Sequence, residues 1–128
     1  METKNLSEST ICCFGDSTTW GDNGCGAGGN DISWTSHLGA LLGGAVVENF
    51  GIKGSRIAIK ADRSDSFVER LDGIDDAADV YVVFGGVNDF SRNVPLGELG
   101  STDVHEFYGA VDYLIPVSYT HLTLPTIA

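Results

Sequence analysis

Three short, almost wholly apolar runs, each followed at once by a small polar loop, constrain this chain more than anything else in it. They are residues 10–14 (TICCF), 45–50 (AVVENF) and 80–84 (VYVVF). Each is rich in β-branched or aromatic residues and bounded by Gly, Asn or Asp, which predicts a strand. Helical spacing fills the intervals. Trp34, Leu38, Leu41 and Leu42 recur at i, i+4, i+7 and i+8, with Asp31 or Ser33 placed to cap and Gly43-Gly44 to stop the helix. Ser66 and Glu69 have capping-box spacing ahead of the stripe Phe67, Leu71, Ile74. Ser101, Thr102 and Asp103 precede a third pattern, Val104, Phe107, Tyr108, Val111, Leu114 and Ile115.

Strands that read as continuous apolar runs and alternate with helices predict an α/β protein with a parallel sheet covered on both faces. Ligands of such sheets bind beyond the carboxyl ends of the strands, where the winding reverses. The loops GDSTTWG, NFGIKGS and GGVND all follow strands directly and therefore belong on that edge. A spatial order 2-1-3 puts strand 1 in the middle, with Ser17 within reach of Gly54 and Asn88.

Those residue types suit acyl transfer, which needs a nucleophile, a base and donors for the developing oxyanion. Ser17 supplies a hydroxyl and its own N–H. Gly54 permits close backbone approach, and Asn88 carries an amide that donates without any change of protonation. Asp16 and Asp89 are expected to fix the loops by accepting from backbone amides. No cofactor is implied.

At these residues the chain resembles the GDSL, or SGNH, family of serine esterases and lipases. FGDSTTWG is similar to the family's nucleophile block, NFGIKGS to its oxyanion-glycine block, and GGVND to its GxND block. The three occur in order, each after a strand, and the likeness spans residues 10 to about 115. It implies a flavodoxin-like three-layer α/β/α fold of strand order 2-1-3-4-5, of which strands 1–3 are present. It also implies Ser17 as nucleophile, with the Ser17 N–H, the Gly54 N–H and the Asn88 side chain as oxyanion donors. A closing DxxH block, carrying the base and its orienting acid, belongs to the pattern. No Asp in this sequence is followed three positions later by His. His37 falls among leucines on the first helix and reads as a packing or surface residue. His105 reads as a solvated residue in the first turn of the third helix, and His121 lies in the last segment.

That segment, residues 117–128, departs from what precedes it. The helical pattern stops after Ile115, and Val117 to Thr126 is what GTC TCT TAT ACA CAT CTG ACG CTG CCG ACG encodes, a string similar to a transposase-end sequencing adaptor. The expected organisation is therefore a partial esterase domain over 1–116 followed by a non-native tail, with strand 3 left as an open apolar edge. A chain so truncated is expected to be marginally stable and nearly inactive.

Bulk composition narrows the partners. Seven basic against eighteen acidic residues give a net charge of −11, which disfavours nucleic acid and anionic membranes and suits a small-molecule or carbohydrate ester. With neither a secretory leader nor an apolar span in the sequence, a cytoplasmic location is the default. Cys12, Cys13 and Cys25 lack CxxC spacing and read as buried reduced thiols. A flavodoxin-like domain binding FMN or phosphate through DSTT is the principal alternative, weakened by the lack of Lys or Arg near that loop. GCGAGG lacks the GK[ST] ending of a phosphate loop and reads as a flexible active-site loop, and Thr19 stands where a GxSxG elbow needs glycine. Asp75, Asp76 and Asp79 read as a solvated turn rather than a metal site. Raw sequencing reads that place the adaptor string across codons 117–126 are the expected result, and any other nucleotide string there removes the tail hypothesis.

Overall fold

The computed structural model describes residues 5–121, with side chains through residue 115. Strands β1 (Thr10–Gly15), β2 (Val46–Gly51) and β3 (Val80–Phe84) form a parallel sheet of order β2-β1-β3. The register is set by Gly15 opposite Gly51 on one side and Phe84 on the other, so all three strands end level. The expected strand order and the α/β class both hold.

Alternation along β1 divides the core into two layers. Cys12 and Phe14 face a cluster with Ile57, Phe67, Leu71, Ile74, Ala110 and Leu114, whereas Ile11 and Cys13 face Ala45, Trp34, Leu38 and Leu42. Helix α2 (Trp34–Leu41) thus covers one face, and α3 (Phe67–Arg70) with α5 (Phe107–His121) covers the other. This is a three-layer α/β/α arrangement.

Local signals decide most helix boundaries. Ser33 caps α2 by accepting from the Thr35 N–H, and Gly43 and Gly44 take φ of 79° and 114° just beyond it. The Ser66–Glu69 capping box is formed, but α3 lasts one turn before a 3-10 turn over Leu71–Gly73. Two one-turn helices, α1 (Ser17–Trp20) and α4 (Val87–Ser91), were not legible from apolar spacing because they bury few side chains.

Several expectations need correction. Helix α5 begins at Phe107, not at Val104, since the Val104 carbonyl is engaged by the Ile59 N–H at 3.0 Å. It continues past Ile115 through Pro116 to His121, beyond the end of the apolar pattern. His105 consequently sits in the turn ahead of α5, exposed and 2.9 Å from Asp103. Leu41 is 80% exposed, leaving Trp34, Leu38 and Leu42 as the half-buried stripe packed on the sheet. Cys12 and Cys13 are buried free thiols on opposite faces, but Cys25 is exposed. The glycine run is folded back on itself, with Gly29 N–H on the Gly21 carbonyl and Asn23 N–H on that of Ala27. Among the described residues no cluster suits a metal ion, and no helix is long and apolar enough to cross a membrane. The outer edge of β3 has no strand partner among them, and Val83 and Phe84 are about half exposed.

A row of polar groups crosses the sheet beneath α3. Glu48 on β2 is opposite Cys12 on β1, and Cys12 is opposite Tyr81 on β3. One Glu48 carboxyl oxygen is buried without a hydrogen-bond partner. A hydrogen bond shared with Asp75, reinforced by burial and by the Asp75 charge, pushes Glu48 from 4.5 up to about 7, while Asp75 is held below the usual carboxylate range. A raised folded pKa means that the stability linked to the Glu48 proton is complete below about 4.5 and lost as pH rises through about 7. The Asp75 shift acts in the opposite sense, in more acid solution. Urea midpoints measured between pH 5 and pH 8 should fall for the wild type and stay flatter for Glu48→Gln.

Candidate active site

The loop after β1 is shaped by what glycine allows. A Cβ on Gly15 would lie 2.2 Å from Thr19 Oγ1 and 2.9 Å from the Phe84 carbonyl, and one on Gly51 would lie 2.2 Å from the Trp20 backbone nitrogen. Helix α1 therefore sits directly on the ends of β1 and β2, with Ser17 as its first residue. Asp16, 2% exposed, caps it by accepting from the Thr18 N–H at 3.0 Å. The Thr19 carbonyl, at the other end of this turn, accepts from Ser33 Oγ and Asn49 Nδ2, each at 2.7 Å. Sequence reasoning assigned Asp16 this anchoring role; the Ser33–Asn49 support it did not find.

The second loop holds Gly54 at φ +77° in a turn closed by the Ser55 N–H on the Ile52 carbonyl, 3.2 Å. A positive φ at the third turn position is what glycine supplies. The Gly54 N–H has no acceptor among the described residues. Lys53 turns back toward the first loop, 3.3 Å from Asp22 and 4.8 Å above the Trp20 ring.

The third loop enters α4 through Gly86, at φ +114°. Asn88 Nδ2 donates to the Ser55 carbonyl at 2.9 Å, which brings the amide to the residue next to Gly54. An amide nitrogen has two hydrogens, so the second stays available. Asp89, 2% exposed, accepts from the Ile57 and Ala58 N–H groups at 2.8 and 3.0 Å, fastening α4 to the second loop. Ser17, Gly54 and Asn88 all lie half-buried on the carboxyl edge. The second and third blocks meet by direct bonds, the first and second through Gly51 against Trp20, and the first and third through the pairing of Gly15 with Phe84.

Arg70 is the residue that sequence reasoning missed. Its guanidinium donates to the carbonyls of Gly15, Phe50 and Asp65 and to Ser55 Oγ, all at 2.9 Å, and lies 4.7 Å and 5.2 Å from the Phe14 and Phe67 rings. Burial pulls its pKa down to about 10, against the attraction of Asp65 and Asp16, so it remains a cation at neutral pH. A signal existed. Arg70 interrupts the apolar stripe Phe67, Leu71, Ile74, where a charge is costly unless it has acceptors.

Two hollows in the described surface adjoin this edge. One of about 390 Å³ lies between the end of β2 and α3, lined by Phe50, Ile52, Arg70 and Ile74 among others; another of about 480 Å³ is lined by Phe90, Val94, Leu96 and Phe107 beside α4. Neither is lined by Ser17, Gly54 or Asn88. His37 is exposed on α2, and His105 is exposed with its ring on Asp103. Neither His37 nor His105 is hydrogen-bonded to Ser17.

A parallel three-layer α/β protein with its polar groups gathered on the carboxyl edge is the class these features define. The model of the GDSL-like lipase/acylhydrolase family matches residues 13–116, and the chain belongs to that family. One solved crystal structure is 92% identical, with a TM-score of 0.89 over 92% of this chain and 54% of its own. A crystal structure of a protein from Lactobacillus plantarum is 34% identical, with a TM-score of 0.76 over 95% of this chain and 54% of its own. A possible lipase from Chitinophaga pinensis shares the fold at 23% identity, TM-score 0.66, over 89% of this chain and 44% of its own. The chain thus spans about half the length of these structures. No curated protein matches it. The FMN or phosphate alternative is not favoured, since Asp16 already occupies the Thr18 amide that an anion at DSTT would use.

Replacing Arg70 by Met should remove the charged donor from the carbonyls of Gly15, Phe50 and Asp65, although Gly15 keeps the Ile52 N–H and Asp65 keeps Ser55 Oγ. A loss of about 3 kcal/mol is expected from hydrogen bonds to a charged group removed together. Urea unfolding checks it, with Arg70→Lys recovering part of the loss.

Proposed function

We propose that this chain carries the nucleophile and oxyanion groups of a serine ester hydrolase. The observation that carries the reading is the Asn88 amide, held by the Ser55 carbonyl beside a Gly54 N–H that has no acceptor among the described residues. Ser17 Oγ attacks the ester carbonyl carbon and its proton passes to a base. The oxygen that becomes negative is met by the N–H groups of Ser17 and Gly54 and by the second Asn88 hydrogen. Collapse expels the alcohol, and water then releases the acyl group from Ser17. Preorganised donors of this kind need no rearrangement as charge develops, which is why one is worth about 2.7 to 4 kcal/mol.

The base is the missing part. The DxxH block implied by the family pattern does not occur in the sequence, and His37 and His105 are exposed, the latter with its ring on Asp103. We therefore read residues 1–116 as a partial esterase domain and 117–128 as a tail foreign to it, so that turnover by this chain is slow. A small-molecule or carbohydrate ester, neutral or cationic, fits a molecule of net charge −11. Catalysis without the histidine retains only what binding and the oxyanion donors contribute, roughly 10³ to 10⁴ over water in a serine triad.

A fluorophosphonate probe should label Ser17 slowly in this chain and not at all in Ser17→Ala, as read by mass spectrometry of the labelled peptide. In a longer form carrying a DxxH segment, Asn88→Ala should lower kcat by about 10² to 10³. Label on another residue, or full turnover by Ser17→Ala, would sink the proposal.

A further inference from the structure

Arg63 takes no part in the reading above, yet it grips the peptide that carries the Gly54 N–H. Its Nη2 donates to the Lys53 carbonyl at 2.7 Å. Its Nε and Nη2 meet the two carboxylate oxygens of Asp65 at 3.0 and 2.5 Å, a two-point clamp that fixes the plane of the guanidinium. Asp65 is itself anchored, because its backbone carbonyl accepts from Ser55 Oγ at 2.6 Å and from Arg70 Nε at 2.9 Å. The guanidinium also covers Gly54, where a Cβ would stand 2.4 Å from Nη1 and 3.1 Å from Cζ.

The Lys53 carbonyl and the Gly54 N–H belong to one peptide unit. In a planar trans peptide they point to opposite sides, and none of the described peptide bonds is cis. A cation that holds the carbonyl therefore fixes the direction of the N–H. It also draws electron density toward the oxygen, which makes the N–H a stronger donor. We propose that Arg63 is a positioning residue for the oxyanion site, orienting and polarising the Lys53–Gly54 peptide from its carbonyl side. This rests on the assignment of Gly54 as an oxyanion donor. It explains why a partly exposed arginine, 38% accessible, is locked by three hydrogen bonds rather than left in solvent. A side chain at position 54 would have to displace this guanidinium, so the φ of +77° and the clamp both suit glycine there.

The test uses the full chain labelled with ¹⁵N, in wild-type form and as Arg63→Gln, Arg63→Lys and Ser17→Ala. The Gly54 amide signal should move in Arg63→Gln and return part of the way in Arg63→Lys, while that of Gly44, on the far end of the sheet, stays in place. For p-nitrophenyl acetate, kcat should fall about ten-fold in Arg63→Gln with KM unchanged, the split expected for a contact that matters only in the transition state. A Gly54 signal indifferent to residue 63 overturns the proposal, as does Ser17-dependent turnover that Arg63→Gln leaves intact. Should Arg63→Gln fail to fold, the same two readings on Arg63→Lys decide. Movement of the Gly54 signal alongside turnover that Ser17→Ala does not reduce upholds the peptide clamp and rejects the esterase assignment, so the two failures are separable.

Discussion

Arg70 brings a positive charge into the junction where the first two strands end, and the arrangement of the carboxyl edge depends on it. Its partners come from separate stretches of chain: Gly15 closes β1, Phe50 lies near the end of β2, Ser55 follows the Gly54 turn, and Asp65 precedes α3. Desolvating a guanidinium is costly, and here the charge is met by three carbonyls, a hydroxyl and two aromatic faces rather than by a directly bonded carboxylate. Gly15 and Phe50 lie at the carboxyl ends of neighbouring strands, and the Gly15 carbonyl takes the Ile52 N–H as well. The cation thus ties the two strand ends together, and the loops that follow inherit fixed starting points.

Close approach is the second constraint. Helix α1 rests on Gly15 and Gly51, and the Phe67 ring sits 2.5 Å from where a Cβ of Gly85 would be. Each of these glycines lies at or just beyond a strand end. Side chains there would lift the loops off the sheet and separate Ser17 from the segment that holds Gly54 and Asn88. The buried carboxylates complete the fastening: Asp16 within the first loop, and Asp89 across from the third loop to the second. Their acceptor-only chemistry suits loops whose N–H groups would otherwise lack partners.

How much of this was legible follows from what each signal measures. Apolar runs with period and caps report burial, so the three strands, α2, the capping box of α3 and the sheet order came through. The one-turn helices α1 and α4 did not, because they are held by Asp16, Gly86 and Asp89 rather than by an apolar face. The start of α5 was misread for a related reason, since Val104 fits the apolar spacing while its carbonyl is bound to Ile59. At the site, Ser17, Gly54, Asn88 and the anchoring aspartates stood out by residue type after a strand. Arg63 and Arg70 did not: Arg70 shows only as a charge that interrupts an apolar stripe, and the backbone carbonyls that each of them holds leave no trace in sequence.

The distribution of charge bears on what this edge can accept. Five of the seven basic residues, Lys53, Arg56, Lys60, Arg63 and Arg70, fall in the segment that follows β2. Such a cluster beside a polar edge suggests an anion site, but the side chains are already committed. Lys53 is paired with Asp22, Arg56 with Asp62 and Arg63 with Asp65, Lys60 lies within the influence of Asp103, and Arg70 is spent on carbonyls. These pairs hold loops in place and leave little free positive charge for a ligand, while the remaining acidic residues set the outward field. On the proposed reading, a neutral ester approaching this edge would meet N–H donors rather than a cationic surface. That favours a group whose negative charge appears during reaction over one that carries it beforehand.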